Sequence, residues 1–277
     1  MVVAIPPAQQ VVADAAARIG GHQKQLRTRY PHALTQLKHF EDQRNSSPEF
    51  SWPDWCWLPM AASAAIVREA GLPDPADIGR IAAVGQWTLT GRHVVLPDQY
   101  VTDLHVPDAS RLGMEVADMD LAIDRTLLLR ELEGHCYYLA NPVAPPDDGK
   151  VSMWWTVGLY VHLEHDVKTG RAELRMLLDH DRGWEHLTPV WVHIDQPSLA
   201  WSARDAAASI RSAAAGATAD MVRALVFMVW PMLAALLNPG ITLTGPTPLP
   251  QSDTYLPLLR GAQVWHLAAG DPTLRSV

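Results

Sequence analysis

The sequence contains few cysteines, few phenylalanines and no excess of positive charge. Cys56 and Cys136 are its only cysteines. Two thiols neither suggest a disulfide scaffold nor suffice for a zinc framework without histidines, so a reducing compartment fits. The formal net charge of -8 disfavours a broad nucleic-acid-binding surface, although it is compatible with a local basic patch. With 277 residues, the chain is long enough to bury a sizeable core.

Several catalytic and targeting signatures are also missing from the sequence. It has no G-x-S-x-G elbow, no G-x-x-x-x-G-K-[ST] loop and no G-x-G-x-x-G fingerprint, so acyl-hydrolase, P-loop and dinucleotide functions lose their usual support. Residues 1–10 lack a basic region followed by an apolar run, so we expect no signal peptide. The sequence therefore assigns no catalytic residue, no metal ligand and no cofactor, and it predicts a cytoplasmic protein with no membrane partner.

One apolar stretch, residues 221–245 (MVRALVFMVWPMLAALLNPGITLTG), dominates the second half of the chain. Residues 222–237 are apolar except for Arg223, which predicts a helix buried on most of its circumference. The run is shorter than the roughly 20 apolar residues that a bilayer core requires, and Pro231 predicts a kink inside it. Asn238-Pro239-Gly240 ends the helix, and residues 241–244 alternate like a strand.

Helical patterns occupy the first third of the chain. They predict a helix over residues 8–19 ended by Gly20-Gly21, a second over 23–40 with a break or a start at Pro31, and two more over 61–70 and 75–87. The first two form the most basic region, which is typical of a solvated helical face and is also compatible with contact to RNA or to an acidic partner.

The middle of the chain alternates with a period of two residues. We expect strands over residues 93–96, 126–132 and 135–139, and then a meander over 151–165, 172–178 and 190–194. Short connections between alternating runs predict an antiparallel meander with one buried face, covered by the 221–237 helix. The predicted fold is a single α+β domain over 1–277: an antiparallel meander sheet packed against a central kinked apolar helix, with an N-terminal helical region at 1–50.

Tryptophan is abundant, with eleven residues against three phenylalanines. Three of them, Trp52, Trp55 and Trp57, lie within SWPDWCWLPM at residues 51–60, where Pro53 and Pro59 disfavour helix. Their rings either fill the space between the N-terminal helices and the main body or form an aromatic binding surface. Cys56 fits a small buried apolar residue better than a nucleophile, since no histidine lies nearby in sequence.

Histidine and aspartate are concentrated around the meander, at His162, His165, Asp166, Asp179, His180, Asp181, His186, His193 and Asp195. Adjacent strands would place His162 and His193 on the same polar face. An alternative function is therefore a metal-dependent hydrolase or RNA-cleaving enzyme that uses a metal-bound water as nucleophile. The spacing matches no established metal motif, so we favour a protein that is not an enzyme.

Four stretches of the chain carry a family resemblance. They are RIAAVGQWTLTGRHVVL at 80–96, LLLRELEGHCYYLANP at 127–142, the long hairpin at 153–178, and VRALVFMVWPMLAALLNPGITLTG at 222–245. In this order they resemble a type V-A anti-CRISPR family, the second of the named type V-A inhibitors. The likeness covers a core at residues 80–245 and lies in order and pattern rather than in dense identity.

The resemblance implies an anti-CRISPR-like function. The family lowers production of the type V-A CRISPR effector, by engaging the nascent N-terminal polypeptide of the effector during translation and causing loss of its mRNA. The implied partner is a nascent or N-terminal peptide of a target protein, with the ribosome and mRNA as indirect partners. A peptide would bind at an exposed sheet edge or an aromatic groove. The expected contacts are Trp52, Trp55 and Trp57, with Trp154 and Tyr160 on the outer face of the meander as further candidates.

Overall fold

The computed structural model describes residues 8–71, 74–97, 125–141, 156–198, 201–202, 205, 241–248 and 262–269. The described strands form one seven-stranded sheet in the order β5-β4-β3-β2-β1-β7-β6. Their bounds are β1 His93–Pro97, β2 Cys136–Ala140, β3 Gly158–His165, β4 Ala172–Asp179, β5 Thr188–His193, β6 Ile241–Pro248 and β7 Gln263–Ala269.

The sheet is mixed, which corrects the expectation of a purely antiparallel meander. Strands β2 to β5 are antiparallel neighbours, so the meander itself is confirmed. Strand β1, however, lies parallel to both β2 and β7. Alternation along one strand reports which face is buried but carries no information about the direction of its neighbours, which depends on the long connections between strands.

The described helices are α1 Ala8–Arg29, α2 Ala33–Asp42, α3 Met60–Glu69, α4 Ala76–Leu89 and α5 Arg125–Leu132. Helix α1 is continuous through Gly20-Gly21, where the sequence predicted an end. Each glycine costs a helix interior about 1 kcal/mol relative to alanine. The side chains of Ile19 and Leu26, on either side of the pair, are buried, and this packing holds the helix together across the glycines.

The strand predicted at residues 126–132 is wrong, because this segment forms α5. Leu128 and Leu132 lie four residues apart and are both buried, which is the spacing of one helical face rather than of a strand. The helices predicted at 61–70 and 75–87 are confirmed as α3 and α4, the break at Pro31 separates α1 from α2, and the strands predicted at 93–96 and 241–244 are present in β1 and β6.

Both faces of the meander are buried. Leu159, Val161 and Leu163 form the apolar face of β3, as the alternation predicted. Tyr160 belongs to the opposite face, and it is also fully buried, so its predicted position on an outer surface is wrong. The reason is that α1 and α4 pack on this face: the Tyr160 hydroxyl lies 3.0 Å from the His22 ring, and the Trp87 ring meets Tyr160 edge to face.

Two expectations fall on residues outside the described part of the chain. The apolar helix expected at 221–237 is one of them, and Trp154 is the other. Among the helices that the structure does describe, none is both long enough and apolar enough to span a bilayer.

A buried carboxylate joins α1, α4 and the turn before β5. Asp77 accepts hydrogen bonds from the Tyr30 hydroxyl at 2.5 Å, from Arg80 at 2.7 Å and from the Trp184 indole at 2.8 Å. Burial alone would raise the pKa of the Asp77 carboxyl, but these three donors hold that pKa below its ordinary value. The ionised form is therefore part of the folded structure.

Asp77→Asn should lower the free energy of unfolding by about 3 kcal/mol at neutral pH, because it leaves the buried Arg80 guanidinium undercompensated. Since the folded pKa lies below the unfolded value, the advantage of the wild type is complete above pH 4 or so and is lost as the pH falls through the folded pKa. Denaturant unfolding at several pH values measures this. Asp54→Asn is the control, because the Asp54 side chain is 91% exposed; equal losses in both variants would contradict the prediction.

Candidate functional site

The tryptophan loop at residues 51–58 packs its outer two rings into the core. Trp52 and Trp57 are 8% and 7% exposed. The Trp52 indole donates to the Trp57 carbonyl at 3.1 Å, and the Trp57 indole donates to Glu41 on α2 at 2.8 Å. Both buried N–H groups are thus satisfied, and the interpretation of these rings as a plug fits Trp52 and Trp57.

Trp55 differs from the other two tryptophans of the loop. It is half-buried, and its ring meets His165, at the end of β3, edge to face at 5.9 Å. Its carbonyl accepts the Gly134 N–H at 3.1 Å, just before β2. Cys56 beside it is fully buried, and burial raises the pKa of its thiol. The thiol stays protonated, so Cys56 fits the expected role of a small buried residue rather than a nucleophile.

Charged and polar side chains form a buried layer on the helix-covered face of β3, β4 and β5. We call this set the polar layer: His162, Glu164, Glu173, Arg175 and His193. The strand register aligns His162 with Arg175 in one row and Glu164, Glu173 and His193 in the next. The register therefore places His162 and His193 on one face, as predicted, but in neighbouring rows rather than side by side.

Glu164 connects the polar layer to the start of α3. Its carboxylate lies 3.4 Å from the Arg175 guanidinium and accepts the backbone N–H of Met60, the first residue of α3. Pro59 precedes this helix and provides no side-chain cap, so a carboxylate from the sheet satisfies one of the free N–H groups. Burial raises the pKa of Glu164 to about 7, against the opposing effect of Arg175.

His162 is the neutral member of the polar layer. Burial, together with the nearby Arg175 charge, lowers the pKa of its ring to about 3. Its Nε2 lies 3.8 Å from Glu164, and its buried Nδ1 has no hydrogen-bond partner among the described residues.

His193 lies at the edge of the polar layer, where the layer meets solvent. Its Nδ1 is 2.7 Å from Asp205, and its Nε2 is 3.3 Å from Glu173. Asp205 also pairs with Arg171 at 2.7 Å. Arg171 in turn forms two 2.7 Å hydrogen bonds with Asp195. The Ser202 hydroxyl donates to the His193 carbonyl, which holds the chain after β5 against the sheet.

The predicted histidine and aspartate cluster does not form one site. His165, Asp166, His193 and Asp195 lie at one end of the meander, whereas the members between 179 and 186 lie at the other end of β4. Eight residues of β4 separate the two groups, a distance of about 24 Å at the usual strand rise. At the far end, Asp179 accepts the Tyr138 hydroxyl at 2.7 Å and is 3.5 Å from Arg18, which is a structural contact between α1 and the sheet.

Four side chains of this site were not predicted from the sequence: Glu164, Glu173, Arg175 and Asp205. The pairs His162-x-Glu164 and Glu173-x-Arg175 did carry a signal, because each places two polar residues on one face of a strand whose other face is apolar. Their alignment across β3 and β4 depends on the register, which sequence spacing leaves open. Asp205 reaches His193 only through the fold of the chain after β5.

Comparison with known proteins adds one informative likeness. No protein-family model matches the sequence, and no curated protein matches it. The crystal structure of AcrVA2, a type V-A anti-CRISPR protein, matches with a TM-score of 0.54 over 91% of this chain and 82% of that chain, at 16% sequence identity. This chain shares the fold of AcrVA2. The resemblance inferred from the four sequence stretches is thus confirmed at the level of fold.

The match to AcrVA2 also covers more of the chain than the four sequence stretches did. A match over 91% of the chain is longer than the 80–245 core on which the sequence likeness rested, so it includes part of the N-terminal helices or the C-terminal strand. At 16% identity, the likeness to AcrVA2 carries the arrangement of elements and not the identity of functional residues.

Trp57→Ala should lower the free energy of unfolding by about 3 to 5 kcal/mol, the usual cost of removing a buried aromatic side chain. Trp55→Ala should cost less than half of that, since the Trp55 ring is half-buried. Chemical denaturation of both variants measures the difference. Equal costs would show that Trp55 is as much a part of the core as Trp57.

Proposed function

We propose that this chain is an anti-CRISPR-like protein that suppresses production of a CRISPR effector, by recognising its nascent polypeptide and promoting loss of its mRNA. The observation that carries the proposal is the shared fold with AcrVA2 over 91% of the chain. The residues of this chain supply two further arguments, one from charge and one from the tryptophan loop.

The charge distribution favours a peptide over a nucleic acid as the molecule that is recognised. Arg18, Arg29, Arg80, Arg171 and Arg175 each pair with a carboxylate of the same chain. Lys38, in the most basic region of the sequence, pairs with Glu41 and Asp42. These cationic side chains are paired with carboxylates of the same chain, whereas binding to RNA relies on cations that neutralise phosphates. A peptide is recognised through backbone hydrogen bonds and side-chain pockets instead.

Trp55 is the tryptophan of the loop that we assign to target binding. Trp52 and Trp57 are buried, so the ring available to a partner within the loop is that of Trp55. Half-buried aromatic side chains that are held in place make effective interface anchors, and the Trp55 ring is positioned by His165. A second route is the sheet edge at β6, where Thr244 and Gly245 are exposed and a peptide could add a strand.

Three reporter messages test what this protein recognises. Each encodes a type V-A CRISPR effector: one with its natural start, one recoded with synonymous codons, and one whose first codons are frameshifted so that the RNA is nearly unchanged while the peptide differs. We expect protein and mRNA to fall for the first two messages and to stay constant for the third. Loss of the natural and frameshifted messages, with the recoded one spared, would contradict peptide recognition in favour of RNA recognition. No loss with any message would contradict the proposed function.

Trp55→Ala should reduce this suppression at least about tenfold, the loss expected when an interface anchor worth more than 1.4 kcal/mol is removed. The matched control is Trp201→Ala, at an exposed tryptophan outside the loop, which should suppress like the wild type. Full suppression by a folded Trp55→Ala variant would move the binding surface elsewhere, with the β6 edge as the next region to mutate.

A further inference from the structure

Three potential metal ligands meet where the polar layer reaches the β3–β4 turn. Asp166, Glu173 and His193 each place one ligand atom such that all three atoms lie within 4.8 Å of one another. Ligands of one zinc ion lie at most about 4.2 Å apart, twice a bond of about 2.1 Å. Side-chain movements of less than about 1 Å would therefore bring all three within bonding distance of one ion.

The orientation of His193 is that of a metal ligand with a supporting carboxylate. Asp205 lies 2.7 Å from His193 Nδ1 and also pairs with Arg171 at 2.7 Å. A carboxylate beside one ring nitrogen is the usual partner that orients a ligating histidine. In the tautomer that donates from Nδ1 to Asp205, the lone pair of Nε2 faces the Glu173 carboxylate at 3.3 Å. Two acceptors at that distance repel unless a proton or a cation lies between them.

Charge and access favour a cation at this position. Carboxylates outnumber guanidinium groups here: Asp195 and Asp205 pair with Arg171, Glu164 and Glu173 pair with Arg175, and Asp166 adds a fifth carboxylate. A cation among Asp166, Glu173 and His193 would offset this excess of negative charge. Arg175 contacts the Oε2 atom of Glu173, so the Oε1 atom remains directed towards His193.

Solvent can reach the site. Asp166 is half-buried, and the side chains of Asp195 and Asp205 are 31% and 32% exposed. An ion can therefore enter from the turn end of the meander, while Glu173 and His193 provide a buried inner wall. One nitrogen and two oxygen ligands leave a fourth position for water in a tetrahedral arrangement.

The geometry points to a site for a divalent transition-metal ion, of which Zn²⁺ is the best match, held by His193 Nε2, Glu173 and Asp166, with Asp205 as the positioning residue for His193. An imidazole together with carboxylates suits Zn²⁺, whereas Mg²⁺ prefers oxygen ligands alone. The ion would join the β3–β4 turn, β4 and β5. This site does not depend on the proposed anti-CRISPR function, since its residues are separate from Trp55 and β6.

Metal binding by the full-length chain tests the site. The protein is stripped with chelator, desalted, and titrated with Zn²⁺ against a fluorescent zinc indicator. We expect one equivalent of tight binding in the wild type and a loss of affinity of at least about tenfold in His193→Ala and in Asp166→Asn. Asp205→Asn keeps all three ligands and should weaken binding by about 10- to 100-fold, as for other residues that orient a ligating histidine.

The controls separate this site from adventitious binding and from misfolding. His186→Ala removes an exposed histidine outside the polar layer and should bind Zn²⁺ like the wild type. Asp166→Asn retains the side-chain oxygen that accepts the turn hydrogen bond from the Lys168 N–H, so it serves as the second variant, with its folding checked by circular dichroism, should His193→Ala misfold. The site is overturned if the wild type takes up no stoichiometric Zn²⁺, which means that a proton alone lies between His193 and Glu173. Equal losses in His186→Ala and His193→Ala, or a preference for Mg²⁺ over Zn²⁺, overturn it as well.

Discussion

The removal of charged side chains from water on the inner face of the meander is the constraint on which the rest of the structure depends. Moving a single ion into a protein interior costs several kcal/mol unless it is paired. Glu164 and Glu173 are buried on this face, and Arg175, which is half-buried, pairs with both of them. Their pairing requires the β3–β4 register, and Glu164 also caps α3. Sheet register, helix position and the path of the tryptophan loop are thereby linked.

The same constraint explains which parts of the fold and of the site could be predicted from the sequence and which could not. Local patterns predicted α3, α4 and the meander, because a 3.6-residue or two-residue period reports burial directly. They failed at Gly20-Gly21, where packing of Ile19 and Leu26 overrides a local preference, and at α5, where leucine-rich sequence fits either state. The sequence identified a polar face but treated it as solvent-exposed. Only the helices packed over it reveal that Tyr160 and Glu164 are inside.

Burial also determines which tryptophan side chains of the loop remain accessible. Three rings in six residues fitted either a plug or a binding surface, and Trp52 and Trp57 act as the plug, completing the core beside α2. The ring of Trp55 remains at the margin, held by His165 and by the turn before β2. The loop is therefore both a structural plug and the base of one accessible aromatic side chain. Such a combination gives a partner a preorganised contact at a small entropic cost.

Recognition of a nascent peptide is the central proposal for this chain, which shares the fold of AcrVA2. The most direct measurement is capture of the tagged, full-length protein from translating cells, followed by sequencing of the mRNA on the ribosomes that come with it. Recognition of a nascent peptide predicts enrichment of ribosomes that translate one or a few messages, and loss of that enrichment when puromycin releases nascent chains. Absence of ribosomes, or enrichment that persists after puromycin, would contradict it.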